Sequence, residues 1–151
     1  LPAPLDGLYL DSSVTFTDSN GNYADRPGEK LATYGGSDWL WFAGLGYQKD
    51  RLSLLLSYRY RSPYIEGLEN VDRQNRAFGL PADVGDDWWG EEKFVNLETS
   101  YRLTKNLRVY CNVSNLMEFT NYSTQSPFDN DYPEDSYWHK RRISIGIKAR
   151  F

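Results

Sequence analysis

Two stretches of this chain concentrate the side chains that could do chemistry. The first holds Asp83, Asp86, Asp87, Glu91 and Glu92 around Trp88 and Trp89; the second holds Asp129, Asp131, Glu134 and Asp135 beside Tyr132 and Tyr137. Clustered carboxylates could bind Ca²⁺, which is held by oxygen ligands. The spacing lacks the D-x-D-x-D-G pattern of a calcium loop, so a solvated acidic loop is the plainer reading. Trp88, Trp89, Tyr64, Tyr132 and Tyr137 could grip a sugar or a siderophore ring, because aromatic faces beside polar groups suit such ligands. The competing reading is that these rings pack the loops against one another.

Nothing else in the chain reads as catalytic. Paired carboxylates can hydrolyse glycosides, but these lie on loops without a defined cleft. There is no Gly-x-Ser-x-Gly, no phosphate loop and no histidine beside a candidate nucleophile. His139 and Cys111 are the only residues of their types, which leaves no metal set and no internal disulfide. The expectation is a protein that is not an enzyme and carries no cofactor or metal. His139 reads as an interfacial residue and Cys111 as a small apolar contact.

The elements that must carry these loops announce themselves by period two. Trp138 to Phe151 reads WHKRRISIGIKARF. From His139 onward the odd positions, including Ile143, Ile145, Ile147 and Phe151, alternate with Lys140, Arg142, Ser144, Gly146, Lys148 and Arg150. That is a strand with one apolar and one cationic face. It is about twice the usual length of roughly 5–6 residues, and suits a tilted membrane strand of about 9–11. Five further strands are predicted at 8–17, 38–48, 51–61, 93–103 and 107–116. The third is the cleanest, with Leu52, Leu54, Leu56, Tyr58 and Tyr60 opposite Ser53, Ser57, Arg59 and Arg61, and Leu55 the one exception.

Composition agrees. Aromatic residues make up 16% of the 151, with twelve Tyr and five Trp, a profile that favours strands. No run of about 18 apolar residues exists for a membrane helix, but a transmembrane barrel needs none, since half of each strand faces a polar lumen. A net charge of −4 is too mild to name a partner, and the lack of a basic footprint argues against nucleic acid. The opening LPAPLDG has neither a cationic flank nor an apolar core, so it is not expected to be a signal peptide.

The connections between predicted strands alternate long and short: 18–37, Lys49-Asp50, 62–92, Thr104-Lys105-Asn106, 117–137. Outer-membrane barrels show this asymmetry, and their strands end in interfacial aromatics as these do at Trp39, Trp41, Tyr58, Tyr60, Trp138 and Phe151. The fold class expected is therefore all-β: one unit over 1–151, an antiparallel up-and-down meander of about six long strands, part of a transmembrane β-barrel. The alternative is a soluble β-sandwich or lectin-like carbohydrate-binding module with the apolar rows as its core.

Three segments, WFAGLGYQKDRLSLLLSYRYRSPYI, VNLETSYRLTKNLRVYCNVSNLMEFTNY and RRISIGIKARF, together resemble the C-terminal barrel of TonB-dependent outer-membrane receptors. Asn112, Asn115 and Leu116 fall on the family's N-V-x-N-L element, and Met117-Glu118 stands where N-L-F-D would continue. The resemblance covers nearly the whole chain. It implies about 22 strands in the complete receptor, with the plug and earlier strands outside this chain. An open sheet would leave unpaired edges in lipid, so the remaining strands are expected from elsewhere.

The resemblance also implies a function and a set of roles. The whole receptor would import a scarce nutrient (siderophore-iron, a vitamin or an oligosaccharide) across the bacterial outer membrane, driven through TonB, which contacts the absent N-terminal part. The C-terminus and short turns would be periplasmic and the long loops extracellular. Outer-membrane lipid would touch the apolar rows. Arg59, Arg61, Glu98, Arg102, Arg108, Asn112 and Arg142 would face the lumen and the plug. Ile143, Ile145, Ile147 and Phe151 would form the C-terminal assembly signal. Two glycosylation sequons, at Asn112 and Asn121, would be irrelevant in that compartment.

Overall fold

The computed structural model describes residues 5–23, 31–67, 86–124 and 133–150. These form antiparallel sheets of six and four strands and a two-stranded ribbon, with no α-helix among the described residues. A 3-10 turn, Leu5–Gly7, precedes β1 (Leu8–Phe16), β2 (Asn20–Gly21), β3 (Leu31–Ala32), β4 (Trp39–Lys49), β5 (Leu52–Arg61) and β6 (Tyr64–Gly67). Then follow β7 (Asp87–Trp89), β8 (Glu92–Arg102), β9 (Leu107–Ser114), β10 (Thr120–Thr124), β11 (Pro133–Trp138) and β12 (Arg142–Ala149).

The large sheet runs β1-β4-β5-β8-β9-β12, so each long strand pairs with the next long strand in the chain. Its register carries side-chain alternation across every strand without a slip. Leu10, Leu45, Leu56, Leu97, Val113 and Ile143 occupy one cross-strand row. Tyr9, Gly46, Leu55, Glu98, Asn112 and Ser144 occupy a neighbouring row on the opposite face. Partners in an antiparallel pair share a face, so a continuous apolar face backs onto a continuous polar one.

The apolar face is the uncovered one. Leu10 is 75% exposed, Ile143 60% and Ile145 79%. Among the described residues Ile65 is the one buried apolar side chain, and it lies outside the large sheet. Burying a Leu or Ile side chain is worth roughly 1.5–3 kcal/mol, and this face forgoes that gain wherever water is the medium. Rings stand at both ends of the face. Phe16 meets Trp39 at 4.8 Å and Trp41 meets Tyr60 at 5.9 Å near the long loops, while Tyr47 and Tyr101 flank the β4–β5 turn.

The polar face is partly self-covered. Tyr9 lies over Gly46, and Tyr110 over Gly146, each ring filling the space a Cβ would take on its cross-strand partner. Ser57 is buried on the same face. At the turn end, Asp50 adopts φ 52°, a left-handed conformation that Asp tolerates, and Arg102 Nη2 donates to the Asp50 carbonyl at 2.9 Å. Arg51 Nη1 donates to the Leu103 carbonyl at 3.3 Å, tying the two short turns together.

Several expectations need correction. The stretches 62–92 and 117–137 are not simply loops, because β6, β7, β10 and β11 form a second sheet in the order β11-β10-β7-β6. The 18–37 connection likewise contains the β2–β3 ribbon. The closing strand does not begin at Trp138: that residue ends β11 opposite Thr120, the chain turns through 139–141, and β12 spans Arg142–Ala149. β9 stops at Ser114 rather than Leu116, since Asn115 takes φ 53°. Phe151 lies outside the described residues. No barrel is closed, and β1 and β12 each pair on one side among the described residues.

Candidate functional site

The long-loop end of the large sheet gathers several of the residues singled out above. Tyr64 of β6 lies opposite Trp89 of β7, and the Trp89 ring meets that of Tyr137 in β11 at 4.7 Å. Trp88 alternates onto the other face of the small sheet, opposite Ile65 and Thr124. Tyr64, Trp89 and Tyr137 thus come together, Trp88 does not join them, and Tyr132 lies outside the described residues. The contact between Trp89 and Tyr137 joins two separate connections, so it packs loops together as well as presenting ring surface.

The acidic cluster does not persist as a solvated loop. Asp86 is 1% exposed, and Asp87 is a strand residue of β7. Glu91 accepts from Lys93, and Glu92 lies 4.0 Å from Arg61. Asp135 is exposed on β11; Asp83, Asp129 and Asp131 fall outside the described residues. Among the described residues, no three of His, Cys, Asp and Glu converge as metal ligands.

Arg61, at the end of β5, is the clasp of this region. Its Nε donates to Ser37 Oγ at 2.7 Å and its Nη2 to the Gly35 carbonyl at 2.5 Å. Its guanidinium also lies 3.7 Å from the centre of the Tyr64 ring, a cation–π contact. Gly35, at φ 68°, donates its amide to the Ile65 carbonyl at 2.8 Å. One side chain therefore joins β5, the 35–37 segment and β6. Burial pushes the Tyr64 phenol up from its ordinary pKa, with Glu92 and Glu66 adding to the shift and Arg61 opposing it.

Below the 35–37 segment lies a cleft of about 640 Å³. Arg59, Phe42 and Phe94 line it, with Ser13 and Thr15 of β1 and Ser37 at its edge. Phe42 and Phe94 are the two cross-strand neighbours of Arg59. Further toward the short turns, Glu98, Asn112, Arg108, Lys148 and Tyr9 line a second hollow of about 350 Å³. Glu98 lies opposite Asn112, and Arg102, Arg108 and Lys148 form one cross-strand row. Arg142, opposite Ser114, is exposed. All seven charged or amide residues named for this face share it by register.

Asn115 was not singled out for any structural role, yet it organises the junction of the two sheets. It is 4% exposed. Its Nδ2 donates to the His139 carbonyl, and its Oδ1 accepts from the Phe119 amide at 3.2 Å. Its own amide donates to Asn96 Oδ1 at 2.9 Å. The signal was available: an Asn that breaks a strand's alternation is a good candidate for a left-handed residue with local hydrogen bonds. His139, read as an interfacial residue, stands edge-on to Phe94 at 5.3 Å. Cys111 lies in the apolar row between Thr99 and Ile145 as a free thiol.

No protein-family model, curated protein or solved structure matches this chain.

Proposed function

We propose that this chain forms part of the wall of an outer-membrane β-barrel transporter of the TonB-dependent kind, which takes up a scarce nutrient. In this reading the apolar face meets lipid and the polar face lines the lumen. One observation carries it: the row from Leu10 to Ile143 crosses all six long strands on a face that, among the described residues, no other element covers. Soluble monomers rarely expose contiguous apolar patches beyond a few hundred Å². Membrane barrels display an outward apolar band about 25 Å tall between aromatic girdles. Trp39 and Tyr47 lie eight residues apart on β4, about 27 Å of strand at roughly 3.4 Å per residue.

The small sheet then caps the outer mouth, and the two short turns lie on the periplasmic side. The wall's edges at β1 and β12, unpaired on one side among the described residues, are completed by further barrel strands, since open edges do not occur in hydrocarbon. The plug would meet the polar face around Glu98, Arg102, Arg108 and Asn112, and TonB would act through the plug side.

Fractionation of the native source followed by denaturing mass spectrometry tests the proposal. The chain is expected in the membrane fraction and in solution only with detergent, in a particle that also contains plug sequence. A lone 17.5 kDa chain that is monodisperse without detergent overturns the membrane reading and promotes a soluble carbohydrate-binding module.

A further inference from the structure

Two arginines stand two residues apart on the polar face of β5, and their circumstances differ. Arg61 is fully engaged by Ser37, Gly35, Tyr64 and Glu92. Arg59 is exposed, and among the described residues no hydrogen bond or ion pair engages it. It lines the cleft of about 640 Å³, within the range of about 300–1,000 Å³ usual for small-molecule sites. Among the described residues the cleft therefore contains one uncommitted guanidinium.

Its surroundings are as uneven as its charge. Phe42 and Phe94 flank Arg59 from the adjacent strands. Phe94 is held edge-on by Phe119 at 6.1 Å and His139 at 5.3 Å, and Phe42 leans over Gly44, where no Cβ intrudes. Both rings are thus positioned before any ligand arrives. Hydroxyls lie beside the rings: Ser13, the cross-strand neighbour of Phe42, with Thr15 on β1, and Ser37 on the segment that Arg61 fastens.

We propose that this cleft binds an acidic sugar, with Arg59 taking its carboxylate, Phe42 and Phe94 its C–H face, and Ser13, Thr15 and Ser37 its hydroxyls. A planar guanidinium fork matches a carboxylate in a bidentate pair. Among the described residues Arg59 is the one free cation of the lining, which suits a single negative charge, because the charge of Glu92, also in the lining, is opposed by Arg61. A pyranose matches this mixed lining, its C–H bonds meeting the rings and its hydroxyls the serine and threonine side chains. The inference rests on the transporter reading, whose nutrient it specifies.

Calorimetric titration of the detergent-extracted native particle that contains this chain tests it, using D-glucuronate, D-glucose and 2,3-dihydroxybenzoate as probes. Glucuronate is expected to bind about tenfold or more tighter than glucose, as losing a charge-assisted pair implies. Arg59→Gln should erase that preference, with strand content by circular dichroism unchanged. Arg59→Lys, which keeps the charge, should retain part of it and guards against misfolding of the Gln variant. Equal affinity for the two sugars, or a preference that survives Arg59→Gln, overturns the site. Tighter binding of dihydroxybenzoate overturns the sugar assignment. The same preparation without detergent separates the two ideas: a soluble chain that still prefers glucuronate sinks the transporter and keeps the site, while a detergent-dependent chain with no preference does the reverse.

Discussion

Asn115 donates its side-chain amide to the backbone carbonyl of His139, twenty-four residues further along the chain. The same side chain accepts from the Phe119 amide, and the Asn115 backbone sits at φ 53°. Both departures from the large sheet into the small one, after β9 and before β12, are thereby fixed to one residue. Asn115→Ala is expected to cost about 1–3 kcal/mol, from partly buried partners left unpaired and a Cβ residue without Asn's tolerance of this conformation. Asn115→Gly keeps the backbone conformation and should lose only the hydrogen-bond share. Urea midpoints of both variants, with exchange of the Phe119 amide, check this; equal losses would assign the whole effect to the side chain.

The two faces of β12 should answer differently to charge. Ile145 lies in the apolar row beside Cys111, and Ser144 in the polar row beside Asn112. Ile145→Lys is expected to cost roughly 2–4 kcal/mol if it sits near the bilayer midplane, and Ser144→Lys little. Assembly yield in liposomes reads both. Comparable losses would mean that the facing assignment is wrong.

Gly46 and Gly146 are each roofed by a tyrosine from the neighbouring strand. A methyl group at either position meets that ring, so Gly46→Ala and Gly146→Ala are expected to destabilise by about 1–3 kcal/mol through overpacking. Combining Gly46→Ala with Tyr9→Ser should recover much of the loss. A double-mutant cycle on thermal midpoints measures the coupling, and simple additivity would show that the ring does not respond to the glycine.

The 3-10 turn is pinned to β4 by Lys49 Nζ, which donates to Asp6 Oδ1 at 2.7 Å. That hydrogen bond is the main cause of an Asp6 pKa below its ordinary value. A carboxyl group whose folded pKa is lowered contributes its full share above the unfolded pKa and loses it as pH falls through the folded one. Protection of the Leu5–Gly7 amides is therefore expected to fade in acid below the ordinary Asp range and to weaken in high salt, since the pair is solvent-exposed. Asp6→Asn should remove the pH dependence. A variant that keeps it would locate the titrating group elsewhere.

The long strands were legible because a sheet with two unlike faces writes period two into the chain. Apart from Leu55, which stands in the polar row, Leu52 to Tyr60 alternates so regularly that its span and facing follow from residue types. The second sheet was not legible. β6 and β7 contribute only YIEG and DWW, too short for alternation to register, and their pairing depends on partners 20 or more residues away. Trp138 looked like the start of a strand because its neighbours are apolar or cationic, but tertiary pairing with Thr120 claims it for β11. At the site, sequence brought Tyr64, Trp89 and Tyr137 forward as ring surface. It could not show that Arg61 is occupied and Arg59 is not, because that distinction rests on where Ser37 and Gly35 come to lie.

A sheet that already shows its apolar row to the surroundings has little more to show when it unfolds. Globular domains absorb about 12–15 cal/mol/K per residue on unfolding, mainly by hydrating apolar groups that folding had hidden. Here Ile65 is the one described apolar residue so hidden. In water the heat-capacity step per residue should therefore fall well below that range, and the curve of stability against temperature should be flat, with neither a marked optimum nor a cold limb. Whatever curvature a calorimeter records for the chain in its working medium will belong to the contact between the row ending at Ile143 and the molecules that cover it.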